Sequence, residues 1–412
     1  MKNVFIIADD TTGANSSAIL NKPLGYNCVS IYTKINEVKE NSVYALSTNS
    51  RGIEKEQAYK VVKESLETLK GEDGIYNKRV DSTLRGNLGS ELDAFLDYFP
   101  NKKAIVVASF PSSGRTCENN KLLVFGELLE KTDVAKDPKC PVHTSVVTDL
   151  FKQQTSRKID NIILNDVRSD KFSSILKDKY NKNDIIVIDA KHNSDIDLIA
   201  KTCVDLNLDI ITVGPGPFTY YYTKNCKMKE AYKFYGLIGS VTLLSMNQMK
   251  YAQQHGAYIY ELDAHKILTE GYEQYLDDCY KEIIQISNDF LIITSSCLNK
   301  KSKLDLNKYC NNTQIPEDIS NLINNRIAKL FIDVITLAKP NCVYTSGGDT
   351  TVEFLKQAES FGLQMNNQII PLTVESTILG GPFANLKIVS KGGLIGEDDT
   401  LVYIRNFMKV GM

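Results

Sequence analysis

Apolar positions along this chain follow two alternating rhythms. Short β-branched runs at Val4–Ala8, Cys28–Tyr32, Val43–Ser47, Ile75–Val80, Ala104–Ala108, Ile162–Leu164, Ile185–Asp189 and Ile210–Val213 each predict a strand. Between them lie stretches of helical period, such as Glu54 to Leu69, where Ala58, Val61, Val62, Leu66 and Leu69 share a face. Strand and helix in alternation predict a parallel, doubly wound sheet. Around Asn225–Ala231 the sequence turns polar and lysine-rich and the apolar period lapses. It resumes with strands predicted at Tyr235–Ile238, Tyr258–Leu262, Phe290–Thr294, Cys342–Thr345 and Leu386–Val389, and helices at Leu243–Gln254 and Ile319–Ala338. Asn299–Pro316 reads as a polar loop. The break near residue 230 sets two α/β domains, 1–230 and 231–412, each a mostly parallel sheet flanked by helices. Ligands of such sheets bind beyond the carboxyl ends of the strands, and the active site is expected in the cleft between the domains.

Charge narrows the partners. The 48 cations and 50 anions are mixed along the chain, which argues against a nucleic-acid partner. No apolar run approaches the roughly 20 residues that span a bilayer, so no membrane partner is expected. Met1-Lys2-Asn3 leads straight into the first strand run with no signal-peptide core, and a cytoplasmic protein is expected. Nine cysteines without a C-x-x-C pair and four histidines without ligand spacing predict reduced, buried thiols and no structural zinc.

The densest chemistry lies at Lys78-Arg79-Val80-Asp81-Ser82-Thr83-Leu84-Arg85-Gly86-Asn87. Three cations, a carboxylate, two hydroxyls and a glycine follow a strand and precede an apolar stripe at Leu84, Leu88, Leu92, Phe95, Leu96 and Phe99. Ser82 or Thr83 is placed to cap that helix, which would leave free N–H groups, Lys78 and Arg85 around a small anion. The first strand exits into Ala8-Asp9-Asp10-Thr11-Thr12-Gly13, where two adjacent carboxylates suit a polar ligand or a magnesium shell. After the third strand, Arg51 stands among hydroxyls as a second clamp for a carboxylate. Ser109 to Thr116, with Gly114 and Arg115, resembles a further anion loop, while Asp137-Pro138-Lys139-Cys140-Pro141 reads as a rigid structural turn.

The second half carries a different set. Gly239-Ser240-Val241-Thr242, Ser346-Gly347-Gly348-Asp349-Thr350 and Lys391-Gly392-Gly393-Leu394-Ile395-Gly396 all follow predicted strands, and backbone N–H groups of such turns cradle phosphate oxygens. No G-x-x-x-x-G-K-[ST] loop, complete dinucleotide fingerprint or nucleophile elbow is present. The residues therefore describe an anion-binding first domain and a phosphate-binding second domain, a division that fits a kinase of a small acid.

These motifs, in this order, resemble those of the four-carbon acid sugar kinase family. The likeness runs through Ala8-Asp9-Asp10, Thr12-Gly13-Ala14, Asp81 to Asn87, Phe110-Pro111, Gly114-Arg115-Thr116, Thr132, Asp137-Pro138, Pro141, Gly347-Gly348-Asp349-Thr350 and Lys391-Gly392-Gly393, and covers nearly the whole chain. The resemblance implies an ATP-dependent kinase acting on the terminal hydroxyl of threonate, erythronate or 3-oxo-tetronate. It implies an acid-binding first domain and an ATP-binding second domain. On these grounds Asp9, Arg51, Lys78, Ser82 and Arg85 are substrate-side candidates, with Asp10 or Asp81 as the base. Ser240, Thr242, Gly347, Gly348, Asp349, Thr350, Gly392 and Gly393 are nucleotide-side candidates, with Mg2+ bridging the outer phosphates and no metal ligand assigned. Two-domain α/β enzymes are often dimers, so a homodimer is expected although no interface is marked. The chain departs from the family at Thr11, Asn15-Ser16-Ser17, Cys117 to Asn120, Gly214 to Phe218 and Glu375-Ser376-Thr377. A kinase of another small hydroxy acid and a non-catalytic metabolite-sensing relative are the alternatives.

Overall fold

The computed structural model describes residues 2–32, 38–69, 71–295, 298, 304–311 and 313–411. They form two compact units, one of residues up to Lys229 with Val410 and Gly411, the other of Glu230–Lys409. Residues 299–303 and 312 of the expected loop 299–316, and Cys297, lie outside the described residues.

The first unit is built on eight strands that are parallel throughout: β1 (Asn3–Ala8), β2 (Asn27–Ile31), β3 (Ser42–Ser47), β4 (Gly74–Arg79), β5 (Lys103–Val106), β9 (Ile159–Ile162), β10 (Ile185–Ile188) and β11 (Ile210–Gly214). Their order is β2-β3-β1-β4-β11-β5-β10-β9. Three short strands, β6 (Arg115–Glu118), β7 (Lys121–Val124) and β8 (Glu127–Leu128), form a separate antiparallel sheet. Strand alternation sends Phe5 and Ile7 to a core with Val62, Leu66, Leu92 and Phe95, and Val4, Ile6 and Ala8 to a core with Ala14 and Ala18. Both faces are thus covered, as a parallel sheet requires.

The second unit holds β12 (Phe234–Ile238), β13 (Tyr258–Glu261), β14 (Phe290–Thr294), β15 (Cys342–Ser346), β16 (Gly362–Ile370), β17 (Thr373–Leu379) and β18 (Lys387–Lys391), ordered β13-β14-β12-β15-β18-β17-β16. Five of these are parallel, and β17 and β16 complete the sheet as an antiparallel edge hairpin.

In four places the structure adds detail to the expected pattern or departs from it. The helix after Asp81 runs Leu88–Tyr98, not from Ser82 or Thr83, because Leu84 and Gly86 take left-handed backbone (φ 54° and 93°) and delay its start. Ser82 therefore caps nothing, and Thr83 instead donates to Asp81 Oδ2 at 2.5 Å. Within 109–116, Pro111–Ser113 form a short 3-10 turn and Arg115 begins β6, where it stacks on Phe125 at 5.2 Å. The lapse of apolar period from 225 does not end the helix: Pro217–Lys229 runs on to the boundary between the units, with Thr219, Thr223 and Lys227 as a polar buried stripe. The β16–β17 hairpin went unread because most of its edge strand is exposed and polar.

Candidate functional site

In the first unit, three neighbouring strands, β3, β1 and β4, deliver the charged residues from their carboxyl ends. Beyond β1, Asp9 is buried, and Asp10 caps the helix Thr11–Ile19 by accepting from Gly13 N at 2.5 Å. Past β3, Arg51 donates from Nε to Asp9 Oδ2 at 2.6 Å, pairs with Asp10, and lies 3.4 Å from Asp81 Oδ1. Arg79, the last residue of β4, reaches Asp9 Oδ1 at 3.2 Å and Asp10 Oδ1 at 3.6 Å. A Cβ on Gly13 would sit 1.9 Å from Arg79 Nη1, so this glycine makes room for the guanidinium.

Arg85 completes the cluster. It forks onto Asp81 through Nε at 2.7 Å and Nη2 at 3.2 Å, and donates from Nη1 to Asp137 Oδ2 at 3.0 Å. Burial works against the Asp81 charge, yet the Arg85 fork, the Arg51 charge and the Thr83 hydroxyl hold its carboxyl well below the ordinary range. The amides of Cys140 and Lys139, with Arg85, hold Asp137 at about 2. Asp10, Arg51, Arg85 and Asp137 keep 31%, 21%, 29% and 21% of their side chains open to solvent.

Lys78 is elsewhere. Adjacent strand residues point to opposite faces, so Lys78 turns away from Arg79 into the core. Fully buried, its ammonium meets Glu91 Oε2 at 2.5 Å and the Arg79 carbonyl at 2.7 Å, and Ser50 donates to Glu91 Oε1 at 2.5 Å. The Lys78 side chain has no surface open to solvent beside the cluster. Ser82 is partly exposed at the cluster's turn. Arg79 and Asp137 were missed: strand parity marked Arg79, whereas Asp137 meets Arg85 only across 52 positions of chain.

The second unit repeats the placement with other chemistry. Neighbouring strands β12, β15 and β18 exit into Ser240, Gly347 and Gly392. Thr242 caps the helix Leu243–Gln254 by accepting from Ser245 N at 3.1 Å, and its hydroxyl donates to Gly393 O at 2.7 Å. Ser245 donates to Gly393 O at 3.1 Å, and Gln248 Nε2 to Ile395 O at 3.0 Å and Glu397 O at 2.9 Å. A Cβ on Gly393 would lie 2.2 Å from Ser240 Oγ. Gly347, at φ 111°, precedes the helix Gly348–Gln357, and Gly348 and Asp349 are exposed at its first turn. Thr350 is buried, donates to Asn324 Oδ1 at 2.9 Å and packs close to Gly239 and Gly347. Ser240, Thr242 and Gly393 thus form one close-packed nest beside the Gly347-Gly348 turn.

Among the described residues no group of three His, Cys, Asp or Glu side chains forms a metal cage, and no helix is long and apolar enough to cross a membrane.

Comparison with known proteins matches residues 4–222 to a sugar-binding N-terminal domain and residues 236–401 to a nucleotide-binding C-terminal domain. The chain is 32% identical to a D-erythronate kinase of Heliobacterium modesticaldum, over 97% of this chain and 95% of that one. It is 24% identical to a D-threonate kinase of Salmonella typhimurium, over 97% of this chain and 96% of that one. Its fold matches a Bordetella bronchiseptica structure, described as a domain of unknown function with bound citrate and as a domain-swapped dimer, at TM-score 0.79 and 20% identity over 98% of both chains. By both domain matches and by this full-length likeness, the chain belongs to the four-carbon acid sugar kinase family.

Proposed function

We propose that the protein transfers the terminal phosphoryl group of ATP to the terminal hydroxyl of a four-carbon acid sugar, erythronate, threonate or 3-oxo-tetronate. The acid binds the Asp/Arg cluster of the first unit, and the phosphates of ATP bind the Ser/Thr/Gly turns of the second. One observation carries the reading: each matched domain has its chemistry gathered at the exits of three adjacent parallel strands, charged in the sugar-binding match and hydroxyl- and glycine-lined in the nucleotide-binding match.

Each group has a role that its surroundings support. Arg51 and Arg85, part-exposed, present N–H groups and charge to the acid's carboxylate, while lone pairs of Asp10 and Asp137 accept from its hydroxyls. Asp10 is the favoured base. Both candidate carboxylates are tied to arginines, but Asp81 is buried under the Arg85 fork, whereas Asp10 keeps 31% of its side chain open to solvent, where a substrate hydroxyl can reach it. The exposed carboxylate of Asp349, beside Gly347-Gly348, fits a Mg2+ held chiefly by phosphate oxygens, as that ion prefers. Mg2+ would neutralise charge building on the outer phosphates. The chain's own work is to position the reacting atoms and exclude water.

ADP release measured over a panel of C3–C6 aldonates tests the reading. Turnover on four-carbon acids is expected. Turnover only on other acids would assign a different hydroxy-acid kinase, and ATP binding without turnover would assign a sensor. A homodimer is also proposed, supported by the dimeric description of the Bordetella neighbour, and a solution mass of one chain would reject it.

A further inference from the structure

Lys391 ends β18 and is 3% exposed, yet among the described residues no carboxylate pairs with it. Its ammonium donates to Gly392 O at 2.8 Å and Ile395 O at 3.1 Å, two carbonyls of the glycine turn. An ammonium has three N–H groups, so one is left over. Its own carbonyl accepts from Gly347 N at 3.2 Å, which ties the Gly347-Gly348 turn to the same residue. In register beside it on β17, Thr373 buries a hydroxyl that has no hydrogen-bond partner among the described residues. Lys391 therefore joins both phosphate-type turns, and it is the one cation among the residues that build them.

We infer that Lys391 is the cation of the nucleotide site: it shapes the 392–396 turn through two carbonyls and directs its remaining N–H and its charge to the phosphates of the bound nucleotide. A buried charge without a counter-ion is unfavourable in the empty protein. Burial alone pushes this ammonium down to about 8, in keeping with a charge that lacks its partner. A nucleoside di- or triphosphate supplies that partner. The neutral hydroxyls of Ser240, Thr242 and Ser245 can donate hydrogen bonds to phosphate but cannot offset its charge.

The inference rests on the proposal that the second unit binds ATP, and the test separates the two. Calorimetric titration of the full-length wild type with ADP and with adenosine comes first; no binding of ADP overturns the ATP reading itself. With wild-type binding established, Lys391→Met is expected to weaken ADP by roughly tenfold or more while leaving adenosine within about twofold. KM for ATP should rise while KM for the acid holds, and the melting temperature should hold or rise because an unpaired buried charge has gone. Lys391→Arg should recover part of the ADP affinity. Lys391→Gln, which can still donate to a turn carbonyl, replaces the methionine variant if that one does not fold. Unchanged ADP affinity, or equal losses for ADP and adenosine together with a lowered melting temperature, would leave Lys391 as a turn anchor only and overturn the inference.

Discussion

The two units place their chemistry at the same address and build it from opposite materials. In the first, the exits of β3, β1 and β4 carry three guanidinium groups and three carboxylates that, with Asp137 from a loop distant in sequence, hold one another in position. In the second, the exits of β12, β15 and β18 carry hydroxyls, glycines and one unpaired lysine. A cluster of mutually paired charges fixes geometry and reads hydroxyl patterns, but each substitution unbalances its neighbours. A nest of backbone and small side chains tolerates charge changes better, and fails when an added atom fills it. The fold supplies a location, and the side chains on the loops decide what is bound there.

That contrast can be broken most sharply at Lys78. Lys78→Met leaves Glu91 buried without its cation, and urea unfolding should show a loss of about 3–5 kcal/mol. Lys78→Met combined with Glu91→Leu should recover much of it; a neutral single variant would mean that buried charge does not hold the first unit together. Next in size, Arg85→Ala should raise KM for the acid by about 10- to 100-fold, since it removes a contact and loosens Asp81, while KM for ATP stays level. If the ATP value moves instead, the assignment of the two sites is reversed.

Glycine substitutions give a matched pair of smaller effects. Gly393→Ala places a Cβ 2.2 Å from Ser240 Oγ and should raise KM for ATP by roughly tenfold. Gly13→Ala places one 1.9 Å from Arg79 Nη1 and should shift only the acid's KM. The smallest effect is in pH. Both Asp81 and Asp137 have folded-state values below the ordinary 3.8, so their stabilisation is fully present above about 4 and is lost as the pH falls toward 2. Asp137→Asn should lower stability at neutral pH and flatten part of that acid limb in a denaturation series.

Much of the frame was legible because strands covered on both faces read as unbroken apolar runs. Phe290–Thr294 and the helix Leu243–Gln254 end where their patterns end. Where burial is polar the pattern is silent, as in the Pro217–Lys229 helix with its Thr219, Thr223 and Lys227 stripe. The grouping of Asp9, Asp10, Arg51, Asp81 and Arg85 could be anticipated from their shared position at strand exits. Lys78 could not be told from Arg79 by residue type, because only strand parity separates a core ion pair from a site guanidinium. Asp137 was hidden by distance in sequence, and Leu84 by a left-handed backbone that no L-residue favours.

Two hydrogen bonds from one side chain of the first unit bear on how the chain is made. Lys227 donates to Leu24 O at 2.5 Å and to Val410 O at 2.7 Å, across 183 positions of chain in the second case. A nascent chain that has emerged only as far as residue 229 therefore has its sheet but not its closing contact. The first unit can collapse early, but this contact forms only after the whole second unit has been synthesised, so its closing is a late step in a chain whose units otherwise follow one another in order.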